Sequence, residues 1–283
     1  MSVGQSRLHR SVGRAAITVV AAAFIGAGLV GAPAQAAPFD RSLHLAGASN
    51  ARDVGGYQTT DGRWVRTGMV FRSNSLGKLT DAEWAALTAR GVTLDVDLRN
   101  TSERAKAPDH PPTGIAYQVQ DVVGVPTGKA PSLAACPLLP TTINVISALG
   151  NTPLDDVFTG GSYPLMVCYN GASQAFGNLM TDIATHAGAV IYHCSAGKDR
   201  TGWATAVLLT ILGVPRDTVT ADFLASNTYR GPNSVQKSWL DAAFAQVKSA
   251  FRSFDGYVRN GLGLSPQTVS ALQTRLLTSQ QPG

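Results

Sequence analysis

One short stretch of the chain holds residue types that can do covalent chemistry. Residues 193–202 read His-Cys-Ser-Ala-Gly-Lys-Asp-Arg-Thr-Gly, between an apolar run at 189–192 and an apolar, helix-forming run at 203–212. This order predicts a strand, a tight loop and a helix. Such a loop gathers backbone N–H groups at a helix N-terminus, where they can bind a tetrahedral anion such as phosphate.

Cys194 and Arg200 stand at the two ends of this loop and are the first predicted catalytic residues. A thiol at a helix N-terminus beside cations is expected to be a thiolate at neutral pH. A thiolate can attack phosphorus and form a phospho-cysteine, while the forked guanidinium of Arg200 grips two phosphoryl oxygens. Phosphoryl transfer depends mainly on such positioning and charge stabilisation, so this chemistry requires no metal and no cofactor.

Other loop residues are expected to bind the substrate or support the nucleophile. We expect the Thr201 hydroxyl to donate a hydrogen bond to the Cys194 sulfur. Lys198 either favours a multiply charged substrate such as a phosphoinositide or only supports the thiolate. His193 should hydrogen-bond the loop backbone, because its side chain points away from the cysteine across the strand. The predicted substrate-binding residues are Ser195, Ala196, Gly197, Lys198 and Thr201.

A general acid must protonate the leaving oxygen, and three aspartates are candidates. Asp199, inside the loop, is the first choice and the third predicted catalytic residue. Its alternative role is structural, accepting loop N–H bonds or pairing with an arginine. Asp53 and Asp97 are the second and third candidates. Asp53 precedes two glycines, where aspartate commonly forms turns, and Asp97 could instead form a buried pair with Arg99.

Four segments together resemble the atypical bacterial protein tyrosine phosphatases, a family that includes a secreted mycobacterial phosphatase and lipid-phosphatase-like enzymes. The loop matches the family's His-Cys-x-x-Gly-Lys-Asp-Arg pattern. Residues 50–56 match Asn-x-Arg-Asp-x-Gly-Gly, residues 71–73 match Phe-Arg-Ser, and residues 97–99 match Asp-Leu-Arg with Glu103 following. The resemblance covers about residues 40–265 and is weakest at 122–170. It implies that the insert at about 124–170 forms a lid over the pocket; the alternative is an irregular surface insert.

The N-terminus has the pattern of an export signal. Residues 1–14 carry three arginines and no acidic residue, residues 15–30 are apolar apart from Thr18, and Ala34-Gln35-Ala36 suits signal cleavage. The apolar stretch is short for a membrane span. We therefore expect residues 1–36 to be a cleaved signal peptide, residues 37–283 to be the phosphatase domain, and the protein to be secreted.

Export changes the interpretation of the three cysteines. If Cys194 stays reduced for catalysis, Cys136 and Cys168 are left to form a disulfide, as is common outside the cytosol. The alternative is two buried free thiols.

Charge and composition exclude some functions. The net charge of +5 falls to about +2 once the leader arginines are removed, and no basic tract or basic–aromatic stripe is present. Nucleic-acid binding is therefore not expected. Membrane contact is expected only if the substrate is a lipid.

Strand-like and helix-like segments alternate along the chain. Strands are predicted at 63–71, 92–98, 115–123 and 189–193. Helices are predicted at 172–186, 201–212, 216–226 and 238–254, and Thr80–Glu83 has the pattern of a capping box opening another helix to Arg90. Alternation of this kind predicts an α/β sandwich of the tyrosine-phosphatase type, with a mostly parallel central sheet between helices. Cys194 would lie at the carboxyl ends of the strands, where ligands bind.

The sequence therefore predicts a secreted phosphomonoesterase that acts on a phosphorylated protein or a phosphoinositide. A protein tyrosine phosphatase, with dual-specificity or phosphoinositide activity left open, fits best. The alternative is a non-catalytic module of the same fold that binds phosphate. A serine hydrolase or zinc hydrolase lacks support, because the chain has neither Gly-x-Ser-x-Gly nor His-Glu-x-x-His.

Overall fold

A computed structural model describes Met1 and residues 40–130, 132–136 and 163–282. The described residues from 40 onward belong to one compact unit. The predicted signal peptide lies outside the described residues except for Met1. Most of the predicted insert at about 124–170 also lies outside them.

The strands form one main sheet and one small sheet. In chain order the strands are β1 (Arg52–Asp53), β2 (Trp64–Val65), β3 (Val70–Ser73), β4 (Val92–Asp97), β5 (Ala116–Val119), β6 (Ala189–His193) and β7 (Leu277–Thr278). The main sheet has the order β1-β3-β6-β4-β5, and β2 pairs with β7. Among the strands in the described ranges, β1 alone runs antiparallel in the main sheet. The predicted α/β fold with a mostly parallel sheet is confirmed.

Helices cover both faces of the main sheet. They are α1 (Asp81–Ala89), α2 (Thr101–Lys106), α3 (Tyr163–Cys168), α4 (Asn170–Thr185), α5 (Arg200–Ile211), α6 (Arg216–Leu224), α7 (Ser226–Arg230), α8 (Lys237–Phe251), α9 (Phe254–Gly256), a π-helical turn (Tyr257–Gly261) and α10 (Pro266–Leu276). Alternate strand residues face opposite ways. Phe71 and Ile191 therefore pack toward α1, while Val190 and Tyr192 pack toward α4 and α5. No helix in the described ranges is long and apolar enough to cross a membrane.

Local sequence signals explain several element ends. The predicted capping box is present: Thr80 accepts from the Glu83 N–H while the Glu83 carboxylate accepts from the Thr80 N–H. Helix α1 ends just before Gly91, whose φ of +79° suits glycine. The predicted strand at 63–71 is wrong as a single element, because Gly68 (φ +74°) turns the chain between β2 and β3. The predicted strand at 115–123 is shorter, at Ala116–Val119.

Three parallel strands end side by side at the same edge of the sheet. Ser73 of β3 pairs in register with His193 of β6, and Asp97 of β4 pairs with His193 from the other side. The loop after β6 therefore leaves the sheet between two neighbouring strand ends. This register brings residues that are distant in sequence to the segment at 194–199.

Cys136 and Cys168 are bonded to each other in the structure, with their Cα atoms 5.2 Å apart. The bond joins the described segment at 132–136 to the end of α3. Cys194 is the free cysteine.

Replacing both Cys136 and Cys168 with serine should lower the free energy of unfolding by about 3–4 kcal/mol. The reason is that the bond closes a loop with a sequence separation of 32 and so restricts the unfolded chain. Urea unfolding without reductant measures the difference, and adding reductant to the wild type should remove it. Three titratable thiols in the unreduced, denatured wild type would contradict the bond.

Candidate active site

The loop at 194–199 connects β6 to α5 and is buried. Cys194 is 2% exposed, and Asp199 is the N-cap residue of α5. The Asp199 carbonyl accepts the first helical bond, from the Trp203 N–H at 2.8 Å. The predicted order of strand, loop and helix is confirmed, so the helix N-terminus points at the loop.

Three consecutive carbonyl groups of the loop are bonded to donors outside it. The Ser195 carbonyl accepts from the Ser75 N–H at 3.1 Å. The Asn50 side-chain amide donates to the Ala196 carbonyl at 3.2 Å and to the Gly197 carbonyl at 3.0 Å. Gly197 has φ +69°, and a Cβ there would lie 2.6 Å from backbone atoms of β3 and the residue after it. Glycine is required at this position.

These outward carbonyls determine where the loop N–H groups point. In a trans peptide the C=O of one residue and the N–H of the next point in opposite directions. The N–H groups of Ala196, Gly197 and Lys198 therefore point toward the interior of the loop. Within the described ranges these three N–H groups have no recorded hydrogen-bond acceptor. Three N–H groups directed into one space form a concavity that can bind an anion.

A buried ionic network holds Arg72, one of the side chains that donate to the loop carbonyls. Arg72 donates to the Gly197 carbonyl at 2.8 Å and to Asp222 at 2.6 Å. Asp222 also accepts from Arg52 at 3.3 Å and from the Tyr57 hydroxyl at 3.0 Å. Burial alone would raise the pKa of Asp222, but the two guanidinium groups lower it to about 2. Asp222 therefore remains ionised and balances part of the buried positive charge.

Arg200 is held by a carboxylate from α2. Its Nη2 lies 2.6 Å from Glu103 Oε1, and its Nη1 donates to Oε2 at 2.7 Å. The Ser195 hydroxyl also donates to Oε1, at 2.6 Å. Glu103 is oriented by a second capping box, in which its carboxylate accepts from the Asn100 N–H. Burial opposes ionisation, but the Arg200 bonds lower the pKa of Glu103 to about 2.

Asp199 lies between a phenol and an ammonium group. Tyr163 of α3 donates to Oδ1 at 2.6 Å, and Lys198 Nζ lies 3.4 Å from Oδ2. Burial raises the pKa of Asp199, and Lys198 opposes this shift. The carboxylate does not cap α5.

Lys198 points toward α8 as well as toward Asp199. Its ammonium donates to the Ser234 carbonyl at 3.2 Å and lies 5.8 Å from the centre of the Trp239 ring. The side chain therefore contacts the segment before α8 as well as the loop.

His193 directly precedes Cys194 and is buried in a cluster of acidic residues. Its Nδ1 lies 3.4 Å from the Cys194 carbonyl oxygen, so it contacts the loop backbone. Its Nε2 lies 3.3 Å from Asp95 and 3.1 Å from Asp109. Burial opposes protonation, but these carboxylates raise the pKa of His193 well above its usual value.

Asp97 belongs to the same cluster. Arg99 binds both Asp97 oxygens and also Asp109, and the Tyr117 hydroxyl donates to Asp97 at 2.8 Å. Burial raises the pKa of Asp95. Ligand atoms of Asp95, Asp109 and His193 lie within 4.8 Å of one another, and Asp109 also binds Arg99.

Two predicted site residues have other partners in the structure. Asp53 accepts from the Gly55 and Gly68 N–H groups, both at 2.7 Å, which is the turn role that its position before two glycines suggested. The predicted bond from Thr201 to the cysteine sulfur is corrected: its hydroxyl donates to the Ser73 carbonyl at 3.5 Å, because β3 ends beside the loop.

Sequence reasoning missed several residues that shape the site. Asn50, Arg72 and Glu103 fell inside segments that carried the family resemblance, but they received no role there. The Asn100-x-x-Glu103 capping pattern was a local signal for the position of Glu103. No local signal indicated Tyr163 or Asp222, because their partners come from distant segments.

Comparison with known proteins establishes the family. A sequence profile described as the tyrosine phosphatase family matches residues 43–278. The chain belongs to this family. It is 30% identical over 276 residues to the triple specificity protein phosphatase PtpB of Mycobacterium tuberculosis, covering 82% of this chain and 98% of that protein. The resemblance seen in the sequence is confirmed.

Two other relatives agree with this assignment. One is a protein of Cupriavidus necator with a provisional tyrosine-protein phosphatase name, 29% identical over 236 residues, or 76% of this chain and 81% of the relative. The other is a tyrosine-protein phosphatase of Nostoc commune, 28% identical over 232 residues, or 72% of this chain and 73% of the relative. The chain is a hydrolase of the protein-tyrosine-phosphatase type.

Replacing Asp222 with asparagine should lower the free energy of unfolding at pH 7 by roughly 3–5 kcal/mol, because it leaves two buried guanidinium groups without their counter-ion. The folded-state pKa of about 2 lies below the unfolded value of 3.8. The wild type therefore loses this stabilisation as the pH falls from about 3.8 to 2, and the difference between the two proteins should narrow there.

Urea unfolding at pH 7 and pH 3 measures this difference. Asp217→Asn is the matched control, because Asp217 is exposed in the first turn of the same helix. An Asp222→Asn protein as stable as this control, or a gap that widens in acid, would contradict the network.

Proposed function

We propose that the protein is a cysteine-dependent phosphomonoesterase that acts through a phospho-cysteine. The Cys194 thiolate attacks phosphorus, the P–O bond to the leaving group breaks, and the loop amides and Arg200 bind the phosphoryl oxygens. Water then attacks the phospho-cysteine, which releases phosphate and regenerates the thiolate. The observation that carries this proposal is the set of outward carbonyls, which directs three N–H groups into one space beside Cys194.

Asp199 is the proposed general acid and base. In the first step its carboxyl group gives a proton to the leaving oxygen, and in the second step the carboxylate takes one from the attacking water. Its burial favours the protonated form that the first step needs. Asp53 and Asp97 are bound to turn amides and to Arg99 respectively, which disfavours them as the acid. His193 supports the loop through the Cys194 carbonyl.

The proposed main substrate is phosphotyrosine in proteins. One relative is named a triple specificity protein phosphatase, so activity on other phosphoesters is a second proposal for this chain. Lys198 supports it as an additional cation beside the loop, although its ammonium is shared with Asp199 and the Ser234 carbonyl. A phosphoinositide would have to bind the Lys198 ammonium group in place of those partners.

We further propose that the protein is secreted after cleavage of residues 1–36 and carries the Cys136–Cys168 disulfide. The leader pattern supports export, and the pairing of these two cysteines in the structure suits an oxidising compartment. The proposed reaction uses no cofactor, no metal and no nucleic acid, and it involves a membrane only if the substrate is a lipid.

Cys194→Ser should lower kcat on p-nitrophenyl phosphate by at least about 10³-fold, because serine lacks a thiolate nucleophile at neutral pH. Steady-state hydrolysis under reducing conditions measures this. The control is the Cys136→Ser/Cys168→Ser double variant, which keeps the free Cys194 and should retain activity. Equal hydrolysis by wild type and Cys194→Ser would contradict Cys194 as the nucleophile, and no hydrolysis by either would favour the alternative of a non-catalytic phosphate-binding module.

A parallel panel of substrates tests the substrate class. With a phosphotyrosine peptide, a phosphoserine peptide and short-chain phosphoinositides, we expect kcat/KM to be highest for phosphotyrosine. Lys198→Met should reduce kcat/KM for phosphoinositides by about 10-fold or more, because a multiply charged ligand loses a cation. An equal loss on all three substrates would contradict a substrate-selective role for Lys198.

A further inference from the structure

We propose that Tyr163 is a positioning residue for the general acid, whose hydroxyl fixes which oxygen of Asp199 carries the transferred proton. The proposal rests on the proposed function, in which Asp199 protonates the leaving group. It assigns a role in the reaction to the first residue of a helix, 36 positions before Asp199 in the chain.

The contact itself is short and buried. The Tyr163 hydroxyl donates to Asp199 Oδ1 at 2.6 Å, and the two residues are 0% and 4% exposed. Burial raises the pKa of Tyr163 well above its usual value, and the charge of Asp199 adds to the shift. The phenol therefore stays protonated and acts as a donor to Asp199, not as a second acid.

This donor leaves a defined place for the proton of Asp199. Because Oδ1 accepts from the phenol, a proton on the carboxyl group is carried by Oδ2. Oδ2 is also the oxygen that lies 3.4 Å from Lys198. The phenol therefore orients the carboxyl group and determines which oxygen can donate to the leaving group.

The phenol is itself held in place from three sides. Its ring packs edge-on against Phe223 of α6 at a centroid distance of 5.9 Å, and at a tilt against Trp239 of α8 at 5.7 Å. Tyr163 begins α3, and Cys168, bonded to Cys136, ends the same helix. The hydroxyl therefore has little freedom to leave Asp199 while the rest of the fold is intact.

The phenol also lies near the reacting sulfur. Negative charge on Cys194 contributes to raising the pKa of Tyr163, after the larger effects of burial and Asp199. The bond from Tyr163 favours the ionised form of Asp199 and so offsets part of the effect of burial. Removing the hydroxyl should therefore raise the pKa of Asp199 further and loosen its orientation.

The test is Tyr163→Phe, which removes the hydroxyl and keeps the ring. In the wild type, activity should fall at high pH as the acid is deprotonated. In Tyr163→Phe the midpoint of this fall should lie about 0.5–1 pH unit higher, since one such hydrogen bond stabilises the carboxylate by about 1 kcal/mol. Below that pH, kcat for phenyl phosphate should fall by about 3- to 30-fold with KM little changed. Loss of proton donation affects poor leaving groups most, so the fall should be smaller with p-nitrophenyl phosphate.

Tyr169→Phe is the matched control. Tyr169 directly follows α3 and donates to the Gly124 carbonyl at 2.8 Å, so its loss removes a similar hydroxyl without touching the acid. Vanadate affinity and the urea midpoint of both variants show whether the fold is retained. A Tyr163→Phe profile that superimposes on the wild type, or that moves only as far as that of Tyr169→Phe, would overturn the positioning role.

Asp199→Asn separates the two levels of the proposal. In this variant, activity should no longer fall toward high pH, and kcat should depend strongly on the leaving group. If it does and Tyr163→Phe behaves like the wild type, the role of Tyr163 fails while the acid assignment stands. If Asp199→Asn keeps the fall toward high pH and the wild-type dependence on leaving group, the acid assignment fails, and the role of Tyr163 fails with it.

Discussion

The outward orientation of three loop carbonyls is the constraint on which the site depends. A peptide unit that presents its oxygen to the scaffold must present the following N–H to the opposite side. Asn50, Arg72 and the Ser75 N–H therefore shape the proposed anion site from outside the loop. Gly197 completes it, since only glycine combines its positive φ with close contact to the end of β3.

The buried guanidinium groups of Arg72 and Arg200 require counter-charges, and carboxylates on two separate helices provide them. Asp222 on α6 binds the guanidinium behind the loop, and Glu103 on α2 binds Arg200 at its end. Both carboxylates are ionised at neutral pH because their arginine partners lower their pKa values. Each arginine is thus held at two points, which restricts its rotamers before substrate arrives and reduces the ordering required on binding.

The local parts of this site were predictable and the long-range parts were not. The strand, loop and helix around Cys194 follow from adjacent residues, and the alternation of elements predicts the parallel sheet. The bonds from Tyr163 to Asp199 and from Arg72 to Asp222 span 36 and 150 residues. No hydrophobic period or capping pattern encodes such pairs, because they depend on how helices pack on the sheet. Family resemblance marked some of these segments without indicating their roles.

We propose that the converging amides and the guanidinium hold a phosphoryl group in line with the cysteine sulfur. A crystal structure of the wild-type protein with vanadate can test this placement. We expect vanadium bonded to Cys194 Sγ, with equatorial oxygens accepting from the N–H groups of residues 196–198 and from Arg200. Vanadate bound at another surface, or bound in the loop with the sulfur directed away from it, would show that the phosphoryl group is not held in this way.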